Sequence, residues 1–470
     1  MLTLTAPAVR LCDRVSRREM LHIGALGAAG LGLADLMRLR ATGSENASAR
    51  PNAQGKAKAC IVLFLMGGPP QHSTWDPKPD APSEVRGEFK PISTGVPGMQ
   101  IGELLPKTAA LAKHLCLVRA MRTGDNAHSS SGYYMLTGHP HVPMNMENAN
   151  PGAPNNWPNF GSVLRRLATN ARSLPAAVRL PHHIFNTDGS VWPGQDAGFL
   201  GRALDPWMFR CEPASPEFRI PEFTLSADVT ADRLHARRSL LAQLNDHRAS
   251  VEQSDALAPY DAATRQAFDL LTSERSRAAF RLDDESPASR DRYGRTQFGQ
   301  SVLLARRLVE AGVQLVQVNW FRGPEEPSDA PCWDSHTKEA HRLRTALVPP
   351  FDQAFSALLG DLVERGMLDE TLVLCLSEFG RSPKINAAGG RDHWGNVFSI
   401  CLAGGGICGG HIHGTSDAVG GEPHDGTVLP ADLLATLFQC LGYAPSTEMH
   451  DALGRPFPIA RGEPIRGILS

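Results

Sequence analysis

Ala59-Cys60-Ile61-Val62-Leu63-Phe64-Leu65-Met66 runs straight into Gly67-Gly68-Pro69-Pro70. A short apolar run without polar alternation reads as a strand buried on both faces, and the Gly/Pro step ends it in a loop. Further strand-like runs are Leu115–Ala120, Val313–Trp320, Glu370–Leu376 and Phe398–Ala403. Helical periodicity predicts helices over Leu104–His114, Phe298–Ala311, Phe351–Arg365 and Pro430–Leu441. Strands alternating with such helices predict an α/β fold, a mostly parallel sheet with helices on both faces. In sheets of this kind ligands bind at the carboxyl ends of the strands. Residues 226–283 read as a helical insertion whose charges form a solvated face.

The chain has 470 residues, 42% hydrophobic and 20% charged, an ordinary globular composition for one large domain or two smaller ones. A net charge of −2 gives no basic surface for nucleic acid. The cysteines are scattered without a Cys-x-x-Cys pair, which excludes a zinc ribbon or a dithiol redox motif.

The N-terminus differs in character. Ser16-Arg17-Arg18-Glu19-Met20-Leu21 is a twin-arginine signature, followed by the Gly/Ala-rich stretch Leu21–Ala34 and a polar linker. Residues 1–50 are therefore expected to be an export signal with its linker, with a domain over 59–465. The protein is expected in the periplasm or another extracytoplasmic space. Apart from that signal, no run is long and apolar enough to span a membrane.

Three clusters in the C-terminal half bring carboxylates and imidazoles to predicted strand ends: Trp333-Asp334-Ser335-His336, Ser377-Glu378-Phe379-Gly380-Arg381 and Gly390-Arg391-Asp392-His393-Trp394. Such mixed sets suit zinc, manganese or magnesium. Singly, each also fits a hydrogen-bonded turn or an N-cap. Earlier, Asn126-Ala127-His128-Ser129-Ser130-Ser131-Gly132 places serines beside a histidine, as a nucleophile and base or as a polar helix start.

Taken in order, Gly67-Gly68-Pro69-Pro70, Trp75-Asp76-Pro77-Lys78-Pro79 and the three C-terminal clusters resemble a large bacterial family of twin-arginine-exported proteins of unknown function, grouped with the alkaline phosphatase and sulfatase superfamily. The resemblance covers roughly residues 59–465. It implies an alkaline-phosphatase-like three-layer sandwich with one or two divalent metals (zinc, calcium, magnesium or manganese) at the C-terminal sheet edge. It further implies hydrolysis of a sulfate or phosphate ester, either a small anionic ester or a sulfated or phosphorylated glycan. Carried over by position, Asp334, His336 and His393 are expected around one metal. Glu378 is expected on a second, with Asp392 as a further ligand. Arg381 and Arg391 are expected to grip the anion with their forked donors.

The chain also departs from that pattern. Gly67-Gly68 stands where the superfamily carries an Asp at the end of the first strand. Counting back from Thr137-Gly138, the nucleophile position falls on His128, leaving His128, Ser129 and Ser130 as candidates. The sulfatase Cys-x-Pro-x-Arg motif is absent; Cys211-Glu212-Pro213-Ala214-Ser215 lacks its Arg. The second reading is therefore an inactive member that binds an anionic polysaccharide or an exported partner. Either way, Asp334, His336, Glu378 and His393 are expected to converge.

Overall fold

β1 (Ala59–Phe64) is an inner strand of the eight-stranded sheet around which the chain is built in a computed structural model. The structure describes residues 55–168, 174–216, 218, 233, 236, 239–240, 273–320 and 332–470. The expected export signal and most of the expected insertion at 226–283 lie outside the described residues; of the latter, a helix over Glu274–Phe280 is described.

The other strands of the sheet are β2 (Leu115–Met121), β3 (Ala177–Leu180), β4 (Trp207–Met208), β5 (Leu315–Asn319), β6 (Thr371–Leu376), β9 (Phe398–Ala403) and β10 (His411–His413). A separate ribbon pairs β7 (Gly380–Arg381) with β8 (His393–Trp394). The sheet runs β10-β2-β9-β6-β1-β5-β3-β4. β1 pairs in parallel with β5 and β6, and β3 in parallel with β5 and β4. β9 runs antiparallel to both β6 and β2. The sheet is thus mostly parallel, as expected, with one reversed strand that an apolar run cannot reveal.

Every residue of β1, β5 and β6 is buried, so both faces of the sheet centre are covered. The covering helices are α1 (His128–Thr137), α2 (Phe160–Leu167), α3 (Gln297–Glu310), α4 (Val348–Glu364) and α5 (Pro430–Cys440). α3 packs on β1 and β5 and against α4; α1 packs against α5, and α2 against β3. The result is the α/β three-layer arrangement, helix–sheet–helix.

One expected helix is broken. Within 104–114 the chain makes a single turn at Pro106–Ala109 and a 3₁₀ turn at Ala112–His114. Pro106 starts the turn, and the Asp352 carboxylate on α4 accepts from the amides of Lys107 (3.0 Å) and Thr108 (2.8 Å). Capping from a neighbouring helix anchors that turn in place.

Candidate metal centre

The centre forms where chain exits meet at the C-terminal edge of the sheet. β1 leaves at Gly67, β6 at Ser377-Glu378, and α1 begins at His128 after β2. The loop carrying Asp334 and His336 lies against the exit of β1: Trp333 N donates to Met66 O at 3.1 Å. Gly67 has φ +111°, and a Cβ there would lie 2.2 Å from the Asp334 amide nitrogen. An Asp at that position is sterically excluded while the loop sits so close. A Cβ on Gly390 would likewise strike the His336 carbonyl carbon at 2.1 Å, so glycine lets the 390–393 loop close onto the 334–336 loop. The β7–β8 ribbon then sets His393 opposite Arg381.

Asp334 is the hub. Its Oδ2 lies 3.1 Å from His128 Nε2, and its Oδ1 lies 3.0 Å from both His336 Nε2 and His393 Nε2. The two Nε2 atoms of His336 and His393 are 2.8 Å apart. Donor atoms of His128, Asp334 and His393 all fall within 4.8 Å of one another. Imidazoles and a carboxylate converging at strand ends match the chemistry of a zinc or manganese site. Their outer contacts fit too. His393 Nδ1 lies 2.8 Å from the Asn126 carbonyl, which fixes the proton on Nδ1 and turns the Nε2 lone pair inward. His128 Nδ1 lies 2.7 Å from Glu378 Oε1 and is oriented in the same manner. The residues present fit a divalent cation held by His128, Asp334 and His393, with His336 at its side.

Charge is distributed to match. Asp334 and Glu378 bring two carboxylates; the Arg381 guanidinium answers Asp334 Oδ1 at 2.5 Å. Burial opposes a charge on His128, but Asp334 and Glu378 outweigh it and raise its pKa to about 10. For Asp334, burial opposes ionisation, yet Arg381 and His128 hold the carboxyl far below the usual carboxylate range. Burial, helped by the charges of His128 and Arg381, lowers His393 to about 3 and keeps it neutral. A raised His128 pKa stabilises the fold fully below its ordinary value of 6.5, and that contribution is lost as pH rises towards about 10. The metal-free protein is therefore expected to lose stability across that window in denaturant titrations. Added metal should release about one proton at pH 8, read by calorimetry in buffers of different ionisation enthalpy.

The structure brings His128, Asp334, His336, Glu378 and His393 together and gives several of them roles other than those expected. Glu378 stands behind the centre: its carboxylate takes the Gly67 amide (2.8 Å), the Ser377 hydroxyl (2.9 Å) and His128 Nδ1, so it orients the His128 ring. Asp392 is exposed and lies 3.4 Å from His336 Nδ1. Arg381 is fully buried, with its donors on the carbonyls of Gly67, Gly68 and Arg391 and on Asp334. Arg391 is equally buried and bonds Glu339 and the carbonyls of Val85, Ser382 and Pro383. Neither arginine offers a fork to a bound anion. The Ser129 hydroxyl donates to Met146 O and accepts from Ala149 N. That of Ser130 donates to Asp125 and accepts from Met146 N. Both serines pin the loop at 146–149, so neither faces the centre as a nucleophile.

Because Glu378 acts through His128, Glu378→Gln is expected to weaken metal binding roughly 10–100-fold. Equilibrium dialysis reads the change, and an unaltered affinity would show that the contact orients nothing.

Sequence reading missed Trp192 and Glu147. The Trp192 ring lies 5.9 Å from that of His128, and Glu147 Oε1 accepts the His128 amide at 2.8 Å. Neither sits in a motif. With Met66, Asn186 and Asp334 they line a cavity of about 20 Å³ at the centre. A larger one of about 240 Å³ shares Met66, Phe185, Asn186 and Thr187 with it and continues past His183 and Trp320.

A family model described as "Protein of unknown function (DUF1501)" matches residues 57–469. No curated protein matches the sequence. Among solved structures, the chain is similar to the PsFucS1 sulfatase from Pseudoalteromonas sp., with 14% identity, 87% of this chain and 71% of that one covered, and a TM-score of 0.39. It is similar also to the phosphonate monoester hydrolase SpPMH from Silicibacter pomeroyi, at 12% identity, 87% and 76% coverage and a TM-score of 0.39. A third is the phosphonate monoester hydrolase of Agrobacterium radiobacter, at 13%, 89% and 77%, with a TM-score of 0.37.

Proposed function

The chain belongs to the DUF1501 family, and from that premise we propose that it is an exported, metal-dependent hydrolase of a sulfate or phosphate ester. The observation that carries the reading is the meeting of His128, Asp334 and His393 at the sheet edge, donor atoms within 4.8 Å. A divalent cation held there would supply Lewis-acid polarisation of an ester oxygen and offset charge on the transferring group. Asp334 and the inward Nε2 atoms of His128 and His393 would hold that cation. Glu378 and the Asn126 carbonyl keep the two rings aimed. The indole of Trp192 and the ring of Phe379, 5.0 Å from that of His128, wall the centre and lower the local dielectric.

The hydroxyls of Ser129 and Ser130 are committed elsewhere, and that of Ser131 donates to the Glu378 carbonyl at 2.6 Å. Hydrolysis by direct attack of water, without a covalent ester on a serine, is the form these residues favour. The same observation favours the second reading, an inactive member that binds an anionic glycan. Metal-loaded protein incubated with aryl and sugar sulfates and phosphates separates the two. Turnover lost in Asp334→Asn supports the hydrolase; metal-dependent retention of the anion without turnover supports the binder.

Export by the twin-arginine route is part of the proposal and rests on Ser16–Leu21. Replacing Arg17 and Arg18 by Lys is expected to keep the protein in the cytoplasm on fractionation. An unchanged extracytoplasmic fraction would contradict that assignment.

A further inference from the structure

The cavity of about 240 Å³ beside the metal centre has a composition of its own. It opens at the C-terminal ends of β3 and β5, one strand over from the exit of β1, and Met66 is common to it and the centre. Its walls carry the rings of Trp320 and Phe185. Between them stand uncharged hydrogen-bonding groups: His182, His183, Asn186, Thr187 and Asn319. Among the described residues that line it there is no Asp, Glu, Lys or Arg.

Three of these polar groups, Asn319, His183 and Asn186, are held in place by the protein itself. Asn319 Oδ1 accepts from Gln317 Nε2 at 2.7 Å while its Nδ2 donates to the His182 carbonyl at 2.7 Å, so its amide cannot flip. His183 Nδ1 accepts from the buried Arg179 guanidinium at 3.4 Å, which leaves the hydrogen on Nε2. Burial and the charges of Arg179 and Arg210 lower His183 to about 4, so the ring is neutral at ordinary pH. Asn186 Nδ2 donates to Ser190 Oγ at 2.8 Å, and the Asn186 amide donates to the Ser190 carbonyl at 2.8 Å, closing the hairpin that forms one wall.

Flat apolar faces combined with fixed, neutral donors and acceptors suit a ring whose C–H faces are apolar and whose rim carries hydroxyls. The volume lies below the roughly 300–1,000 Å³ of pockets for drug-sized ligands, which limits the occupant to about one ring. We infer that this cavity is a subsite for a single pyranose ring, the alcohol portion of the ester whose sulfate or phosphate reaches the metal centre. The inference rests on the hydrolase reading for the second half of that statement only; the ring-binding site stands on its own lining.

The test uses the full-length protein, with and without chelation of its metal. Methyl pyranosides of glucose, galactose and mannose serve as probes, and cyclohexanol as a ring of similar size without the hydroxyl rim. Saturation-transfer NMR and calorimetry should show saturable binding of at least one pyranoside in both metal states, and none of cyclohexanol. His182→Ala and His183→Ala should each weaken it about tenfold, the loss of one good hydrogen bond. Metal stoichiometry and turnover of a sugar-free aryl ester should be unchanged in both variants. Absence of pyranoside binding, equal binding of cyclohexanol, or unaltered affinity in both variants overturns the subsite. Pyranoside binding that persists in a protein retaining no metal and hydrolysing no ester supports the subsite and defeats the hydrolase reading alone.

Discussion

Replacing Arg381 with Leu is expected to destabilise the protein by about 3–5 kcal/mol, the cost of breaking a buried ion pair by deleting one partner. The side chain is fully buried. Its guanidinium bonds the carbonyls of Gly67 and Gly68 at the exit of β1, the Arg391 carbonyl on the way into β8, and Asp334 in the loop between β5 and α4. One cation thus ties three segments, and its removal strands the Asp334 carboxylate in a low-dielectric setting along with three carbonyls. Lysine does not restore the arrangement, because a single ammonium cannot reach the same set of acceptors in a fixed plane. Denaturant unfolding of metal-free protein reads the effect. A loss below about 1 kcal/mol, the worth of an exposed pair, would show that Arg381 is not the buried tie described here.

Asp334→Asn is the second large effect, and it falls on metal affinity. The change keeps the shape but removes the charge that lies within 3.1 Å of His128 Nε2 and 3.0 Å of His336 and His393 Nε2. Affinity for zinc or manganese is expected to drop more than about 100-fold, beyond the range seen when only an orienting partner is lost. The proton released on metal binding should diminish as well, since His128 loses the strongest of the charges that keep it protonated. Titration calorimetry measures both quantities at once. A variant that binds metal as tightly as the parent would remove Asp334 from the ligand set.

Much of the fold was legible because burial leaves a mark on sequence. β1 and β6 are almost wholly apolar runs that stop where the chain meets polar loops, and they sit side by side at the sheet centre. The reversal of β9 was not legible, since an apolar run reads the same in either direction. The clusters at 334–336, 377–381 and 390–394 announced a site, and their residues meet. Individual roles were hidden because they depend on which way a side chain turns. Glu378 is oriented by the Gly67 amide, and a backbone donor has no letter of its own in the sequence. Arg381 and Arg391 read as anion clamps; both are consumed by carbonyls and carboxylates from distant segments. The serines after His128 read as nucleophile candidates, yet the loop at 146–149 needs their hydroxyls. Gly67, in contrast, is explained in full by contact: nothing larger fits against the Asp334 backbone.

Diffraction from crystals grown with zinc, recorded on both sides of the zinc edge, addresses the centre itself. The expected result is an anomalous peak bonded by His128 Nε2, Asp334 and His393 Nε2 at about 2.0–2.2 Å, with Glu378 still on His128 Nδ1. Zinc bound elsewhere, with His128, Asp334 and His393 still touching one another directly, would contradict the assignment of this cluster as a metal centre.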